Sequence, residues 1–455
     1  MFTTLLFLVA TSLLYYSRYE SAIFAAIGFS IYGYIVTDVL IPKVGPSFIK
    51  AGLFGKDMSK PGKPVLPETI GAIATLVYLM IMFICIPFIF FRYMVIETQG
   101  GGQRNSFIEI INHNINNEHL RQFFPHNKLS EYLSSILCLE STFIIGIFDD
   151  LFDLRWRHKF PLPAVAAIPL LLVYYVDFGV TYVVVPNFVR DWLFNGKSLI
   201  DLGIFYYIYM AAMTIFCPNS INILAGVNGL EVGQSIILAV LSLVNDTLYL
   251  TIGIDTAKDS HRFSTILILP FLGVSLALYK WNKWPARVFV GDTYCYFAGM
   301  VFAVVGILGH FSKTMLLLFI PQIFNFIYSC PQLFNIVPCP RHRLPKFNEK
   351  DGLLYPSRTD LKENLPKEWF IPVLKILHKI RLIDIEYDKT KKNNIVSCSN
   401  MTLINLTLVW FGPMREDQLC DTILLGQFII GILALLSRHA IGSLIFGHDN
   451  LWTIR

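Results

Sequence analysis

GIFDDLFDLRWRHKF, residues 146–160, is the stretch on which the architecture turns. An apolar run stops at two adjacent carboxylates, Asp149 and Asp150, a third, Asp153, follows, and Arg155, Arg157 and Lys159 then stand around Trp156 and His158. A bilayer-grade segment thus hands over to dense opposed charge. Either a helix end carries its own ion pairs, or charged chemistry sits at the membrane edge.

The rest of the chain fits that setting. Of 455 residues, 54% are hydrophobic and 15% charged, with a mean hydropathy of +0.55, where soluble proteins carry about a quarter charged residues. A spanning helix needs roughly 20 mostly apolar residues. Ten stretches qualify: 21–42, 69–92, 131–148, 161–177, 202–217, 232–250, 263–280, 293–310, 314–334 and 421–438. The expected fold is therefore an all-α polytopic membrane protein of about ten transmembrane helices. Residues 1–20 hold an additional apolar segment, MFTTLLFLVATSLLYY, which lacks a basic leader and a cleavage site and reads as retained. Residues 21–334 form a nine-helix core, 335–420 a small α/β excursion, and 421–455 the last helix and tail. Within the excursion, FIPVLKILHKIRLIDIEY (370–387) is patterned for a helix and a strand.

Eight cysteines without a CxxC pair argue against thiolate metal binding or a disulfide framework. A net charge of +5 gives no reason to expect a nucleic-acid partner. No internal repeat or low-complexity tract is present.

With ten spans, alternate connections share a face, and 43–68, 149–160, 218–231, 281–292 and 335–420 fall together. That face holds 24 Lys and Arg against 8 on the other, which makes it cytoplasmic by the positive-inside rule. Because long loops count little, the weight falls on the five lysines of 43–68.

Every polar motif lies on this face. On a helix continued beyond 148, Asp149 and Asp153 share a side, Asp150 diverges by about 100°, and Trp156 and Lys159 follow at three-residue steps. CPNSINILAGVNGLEVGQ (217–234) brings Asn219, Asn222, Asn228 and Glu231 with no Lys or Arg. Amide oxygens and glycine backbone suit a hard cation and a nucleotide, although an Asn- and Gly-rich turn has the same composition. In RVFVGDTYCYFAGM (287–300), Asp292 heads an apolar helix, as an N-cap or as an oxygen ligand for Mg²⁺ together with Asn222. CPRHRLP (339–345) sets Arg341, His342 and Arg343 between prolines, a fork suited to a diphosphate or polar sugar, or to anionic lipid. GKDMSKPGKPVLPE (55–68) adds a basic loop. Asn245, Asn400 and Asn405 open N-x-[ST] sequons, the last two on the proposed cytoplasmic face, where glycosylation does not occur. Glu140, midway along the third span, is an intramembrane acid with no partner legible in the sequence.

With GIFDDLFDLRWRHKF, NSINILAGVNGLE, FVGDTYCYFAGM, PCPRHRLPKF and NMTLINLTLVWFGP in order, the chain resembles the eukaryotic UDP-N-acetylglucosamine:dolichyl-phosphate N-acetylglucosamine-1-phosphate transferases from about residue 20 to near its end. The wider superfamily includes bacterial enzymes that act on undecaprenyl phosphate. The Arg-His-Arg segment and the long excursion look like the eukaryotic branch. The resemblance implies an endoplasmic reticulum membrane enzyme with ten core helices, a cytosol-facing site, Mg²⁺ and inhibition by tunicamycin. It would transfer N-acetylglucosamine 1-phosphate from UDP-N-acetylglucosamine to dolichyl phosphate, releasing UMP, with a homodimer or later glycosyltransferases of the pathway as protein partners.

Carried over by residue, Asp292 and Asn222 would hold the metal, Lys159 and Arg341 the phosphates, and His342 and Arg343 the sugar. Asn219 would support the site, Gly226, Asn228 and Phe289 would border the uridine, Met58 and Glu68 would contact substrate, and Trp156 would lie near the lipid-phosphate entrance. Asp153 departs from the asparagine of some relatives. Asp149 and Asp150 are catalytic candidates. Since they cannot both face one phosphorus, Asp149 is assigned to orienting Lys159 and Asp150 to the acceptor or the metal shell. A transporter or flippase, or an enzyme moving the sugar alone, is the rival reading. UMP, UDP or no nucleotide product separates the three.

Overall fold

The computed structural model describes residues 2–17, 21–90, 125–193, 195–340, 342–361, 365–387 and 395–446. Helix α1 (Phe2–Tyr16) packs along α2 (Ala22–Lys50), whose start is capped by the Ser21 hydroxyl. At 1.5 Å per residue α1 is about 22 Å long, less than the roughly 30 Å hydrocarbon thickness. A hairpin, β1 (Phe54–Lys56) and β2 (Val65–Pro67), precedes α3 (Gly71–Ile89). Then come α4 (His126–Phe152), the short α5 (Trp156–Lys159), α6 (Leu162–Ala166) and α7 (Ile168–Asp177). A second hairpin, β3 (Tyr182–Val184) with β4 (Leu199–Asp201), encloses α8 (Asn187–Leu193).

The second half of the bundle is α9 (Ile204–Ile223), α10 (Leu230–Ile252), α11 (Asp255–Asn282), α12 (Asp292–Leu308) and the pair α13 (Ser312–Leu318) and α14 (Ile320–Leu333), bent by 67° at their junction. The excursion holds the hairpin β5 (Lys346–Asn348) and β6 (Leu353–Tyr355). It also holds an antiparallel sheet of β7 (Arg358–Asp360), β8 (Ile385–Tyr387) and β9 (Ile395–Ser399), with β9 central. Helix α15 (Ile371–Lys379) precedes β8, so 370–387 forms the expected helix and strand. The excursion ends in an apolar helix, α16 (Leu403–Phe411), packed on α14 and α17 (Glu416–Leu436), so its last part rejoins the bundle. A short α18 (Gly442–Phe446) follows.

All ten apolar stretches are helical, and the chain is a helical polytopic membrane protein. Among the described residues, seven helices are long and apolar enough to cross a bilayer, or eight with the bent pair as one span. The two expected spans outside that number are α4 and α12. Helix α4 is long but carries acids along its length, and α12 has only 17 residues. The short α12 is nonetheless the post of the bundle: every residue from Thr293 to Leu308 is buried, against α3, α4, α9, α10, α11 and α13. A helix enclosed on all sides by protein does not have to match the bilayer thickness. At its polar end α4 packs directly on its backbone, where a Cβ on Gly146 would lie 2.6 Å from the Thr293 Cα.

The sequon asparagines Asn245, Asn400 and Asn405 are completely buried, so none is presented for glycosylation. Glu140 is half-buried on α4 with no ion-pair partner among the described residues.

Gly146→Ala tests the α4–α12 contact. The added methyl group meets backbone that cannot rotate away, and overpacking of this kind costs about 1–3 kcal/mol. The expected result is a melting temperature several degrees lower in detergent, followed by intrinsic fluorescence or light scattering. An unchanged midpoint would show that the two helices can separate freely.

Candidate active site

The expectation that α4 continues through residues 149–160 is not met. The helix stops at Phe152, and Asp153 takes left-handed backbone angles (φ 47°, ψ 65°) with its N–H still on the Asp149 carbonyl. This turn reverses the chain, and the next residues form α5, opened by the backbone of Trp156. The reversal folds Lys159 back on the segment it left. Its Nζ donates to Asp149 Oδ2 at 2.7 Å and to Asp292 Oδ2 at 3.2 Å. Asp149 Oδ1 accepts the Leu154 N–H at 3.1 Å, so both oxygens of this buried carboxylate are engaged. Asp149 therefore stands where it orients Lys159.

Asp150 takes a different place from the one expected. Its Oδ1 accepts the Asp292 N–H at 2.7 Å, and its Oδ2 accepts the Thr293 N–H at 3.1 Å and the Thr293 hydroxyl. These are the first amides of α12, which have no carbonyl partner inside the helix. Asp150 is thus a capping group supplied by another helix, with its charge at the positive end of the α12 dipole. The preceding Gly291 sits at φ 82°, and a Cβ there would meet Asp150 Oδ2 at 2.8 Å. Only glycine admits this approach. Asp292, freed from capping itself, projects into the site.

Asp292, Lys159, Asn219, Asn222, His342 and Arg343 line one cavity of about 360 Å³. Asn219 and Asn222 both lie on the last turns of α9, at the three-residue spacing that places them on one side. Asn219 donates to the Ile215 carbonyl at 2.8 Å and so is held within its own helix, while the Asn222 side chain faces Asp292 and helps to hold that carboxyl's pKa down. His342 is exposed at the cavity rim. Arg343 is half-buried, and its Nη1 is buried without a hydrogen-bond partner among the described residues. Burial pulls its pKa below the ordinary guanidinium value, in keeping with a charge that no carboxylate compensates. Arg341 lies outside the described residues.

The uridine-side candidates gather around the first hairpin. The Phe289 backbone bridges it to α3, with its N–H on the Pro67 carbonyl at 2.8 Å and its carbonyl accepting the Ile70 N–H at 3.1 Å. Its ring and the Glu68 carboxylate flank Gly55. Met58 is 60% exposed at the hairpin tip. Gly226 (φ 103°) leaves room for Leu344 of the Arg-His-Arg loop. The Asn228 amide donates to Asp57 Oδ2 and Glu416 Oε2, both at 3.1 Å, and Glu416 Oε1 accepts the Asn228 N–H at 2.9 Å. The Asn228 side-chain nitrogen is therefore spent on fastening three segments, and its oxygen is what remains for a ligand. Glu416, the buried acid in this clasp, was not singled out from the sequence. In REDQ, at the head of an apolar helix, it has the signature of an ordinary cap.

The donor set also fits a hard divalent cation. Asp149, Asp292 and Lys159 sum to one formal negative charge, and Asn222 adds an amide oxygen beside Asp292. Among the described residues no three His, Cys, Asp or Glu side chains converge as an all-protein metal cage. One carboxylate and one amide are the partial set that Mg²⁺ accepts when phosphates and water complete its shell.

A helical membrane protein with a lysine–carboxylate cluster under an arginine-lined cavity is the class defined by this geometry, and residues 132–310 match the family model described as Glycosyl transferase family 4. Over 447 residues the chain is 71% identical to a Saccharomyces cerevisiae protein, covering 98% of each. It is 51% identical to one from Schizosaccharomyces pombe, covering 95% of each, and 39% identical to one from Dictyostelium discoideum, covering 86% of this chain and 83% of the relative. All three carry the name UDP-N-acetylglucosamine–dolichyl-phosphate N-acetylglucosaminephosphotransferase, and the chain belongs to that family.

Asp150→Asn and Asp292→Asn separate capping from catalysis. Losing a cap costs about 0.5–2 kcal/mol, so Asp150→Asn is expected to lower both the melting temperature and turnover. Asp292→Asn should abolish turnover with the midpoint unchanged. Parallel thermal and activity measurements check this, and equal melting temperatures in the two variants would remove Asp150 from the capping role.

Proposed function

We propose that the chain transfers N-acetylglucosamine 1-phosphate from UDP-N-acetylglucosamine to dolichyl phosphate, giving N-acetylglucosaminyl-diphosphodolichol and UMP. The observation that carries this reading is the Lys159 ammonium, shared by Asp149 and Asp292 at the membrane edge, in a cavity with Asn222 and the uncompensated Arg343. The shared name of near-full-length relatives supports it. One substrate is dissolved in the bilayer and the other in water, so the reacting groups have to stand at the boundary.

An oxygen of the lipid phosphate attacks the sugar-bearing phosphorus, the bond from that phosphorus to the bridging oxygen breaks, and UMP leaves with the electron pair. A phosphate monoester with a second pKa of about 6 is already largely dianionic near neutrality and needs little help from a base. Both oxygens of Asp149 and both of Asp150 are engaged within the protein, which supports direct attack over an aspartyl intermediate. Among the described residues Lys159 has one N–H left after its two carboxylates, and Arg343 Nη1 has no partner. Lys159 offsets charge on the transferring and leaving oxygens, while Arg343 faces the sugar 1-phosphate. Mg²⁺, held by Asp292 and Asn222, would supply further neutralisation of the diphosphate.

In this reading 21–334 is the catalytic core and 335–420 carries donor recognition, with His342 and Arg343 toward the sugar. The enzyme resides in the endoplasmic reticulum membrane with the site facing the cytosol.

Purified enzyme given both substrates should release UMP, with turnover lost in EDTA and restored by Mg²⁺. Release of UDP would make the chain a sugar transferase, and absence of nucleotide product would favour transport. Without acceptor, delipidated enzyme should not exchange labelled UMP into the donor. Exchange at the turnover rate would establish a covalent route.

The exposed Met58 offers a check of orientation. In a Cys339→Ser background, Met58→Cys should react with an impermeant thiol reagent from the cytosolic side of sealed microsomes. Labelling only after lumenal access would invert the topology.

A further inference from the structure

The segment NMTLINLTLV (400–409) reads as two sequons, yet its asparagines are wholly buried beside the cavity, which Thr402 and Ile404 help to line. Asn405 Nδ2 donates to the Arg343 carbonyl at 2.8 Å and to Thr402 Oγ1 at 2.8 Å, and Asn405 Oδ1 accepts the Ser357 N–H at 2.8 Å. A backbone carbonyl only accepts and a backbone N–H only donates, so the orientation of this amide is unambiguous. The Ser357 hydroxyl adds a second donor to the Arg343 carbonyl at 2.9 Å and accepts from Asn400 Nδ2 at 2.8 Å. Asn400 Oδ1 in turn accepts from Gln332 on α14 at 2.9 Å. A chain of buried amides therefore runs from the bent membrane helix to one carbonyl of the Arg-His-Arg loop. Of that proline-flanked loop, the described residues 338–340 and 342–345 form no helix or strand.

We infer that Asn405 is a positioning residue for the sugar-nucleotide donor, acting through the Arg343 carbonyl to hold the Arg343 guanidinium in the cavity. The inference rests on the reading of this cavity as the donor site. Asn405 touches no substrate. It fixes the backbone from which a charged, half-buried side chain is aimed, and a guanidinium fork binds phosphate or sugar oxygens well only in a narrow range of orientations. Ser357 shares the work on the same carbonyl. Asn405→Asp is the informative change, because it keeps the volume and replaces the donor with an oxygen facing the Arg343 carbonyl.

The test is steady-state kinetics of the purified full-length enzyme, varying UDP-N-acetylglucosamine and dolichyl phosphate in turn, in wild type, Asn405→Asp, Arg343→Ala and the double variant. Loss of a buried hydrogen bond predicts a donor KM raised roughly tenfold in Asn405→Asp. The acceptor KM and kcat should stay within about twofold, the signature of lost ground-state binding. In the Arg343→Ala background the aspartate should raise the donor KM no further. An unchanged donor KM, equal rises in both KM values, or the same rise without Arg343 would overturn the inference. If Asn405→Asp does not yield monodisperse protein, Ser357→Ala stands in, with the same donor-selective pattern required. Failure of wild type to release UMP would count against the functional reading instead. Calorimetric titration of UDP-N-acetylglucosamine into wild type and variant would then decide the inference, with equal affinities overturning it.

Discussion

The structure depends on a hydrogen bond pair between two helices 142 residues apart in sequence: the Asp150 carboxylate on the first amides of α12. A helix that starts inside a protein and is buried along its length cannot leave its first N–H groups to water. A carboxylate meets this need better than a neutral cap, because its charge also faces the positive end of the dipole. The same contact fixes where Asp292 stands, since Asp292 is the first residue of the capped helix. Stability and site geometry are therefore one constraint at this point. Gly146 and Gly291 are its steric conditions, one letting the helices approach and the other admitting the carboxylate.

Around this contact the two cations of the cavity, Lys159 and Arg343, are compensated to different degrees. Lys159 meets two carboxylates, which offsets the cost of holding an ammonium near a low-dielectric region. Arg343 approaches from the other wall without an acid of its own. The two cations are thus in different states before substrate arrives. Lys159 is already paired, whereas Arg343 has no acidic partner among the described residues, so in the proposed function an entering anion would be its first strong partner. Part of the binding energy of such an anion comes from relieving that unpaired charge.

Much of this was legible in the residues. The ten apolar runs are the ten helical stretches, and alternation of faces groups the same polar motifs that the fold brings together. The 370–387 pattern resolved into a helix and a strand. Less legible was whatever depends on a distant partner. Nothing local distinguishes Asp150 as a cap for another helix from Asp150 as a ligand, and Asn405 in a sequon looks like a surface residue until its contact with Arg343, 62 residues away, is known. The helix count went the same way. Length and apolarity identify lipid-facing spans, but α12 is sheathed in protein and follows different rules.

The left-handed turn at Asp153 sets a condition on which residues can stand there. The chain reverses there because the backbone enters a region that asparagine and aspartate reach more readily than other residues with a side chain. The third acid of the opening motif thus meets a torsional requirement at the point where the chain reverses, one that asparagine in its place would meet as well.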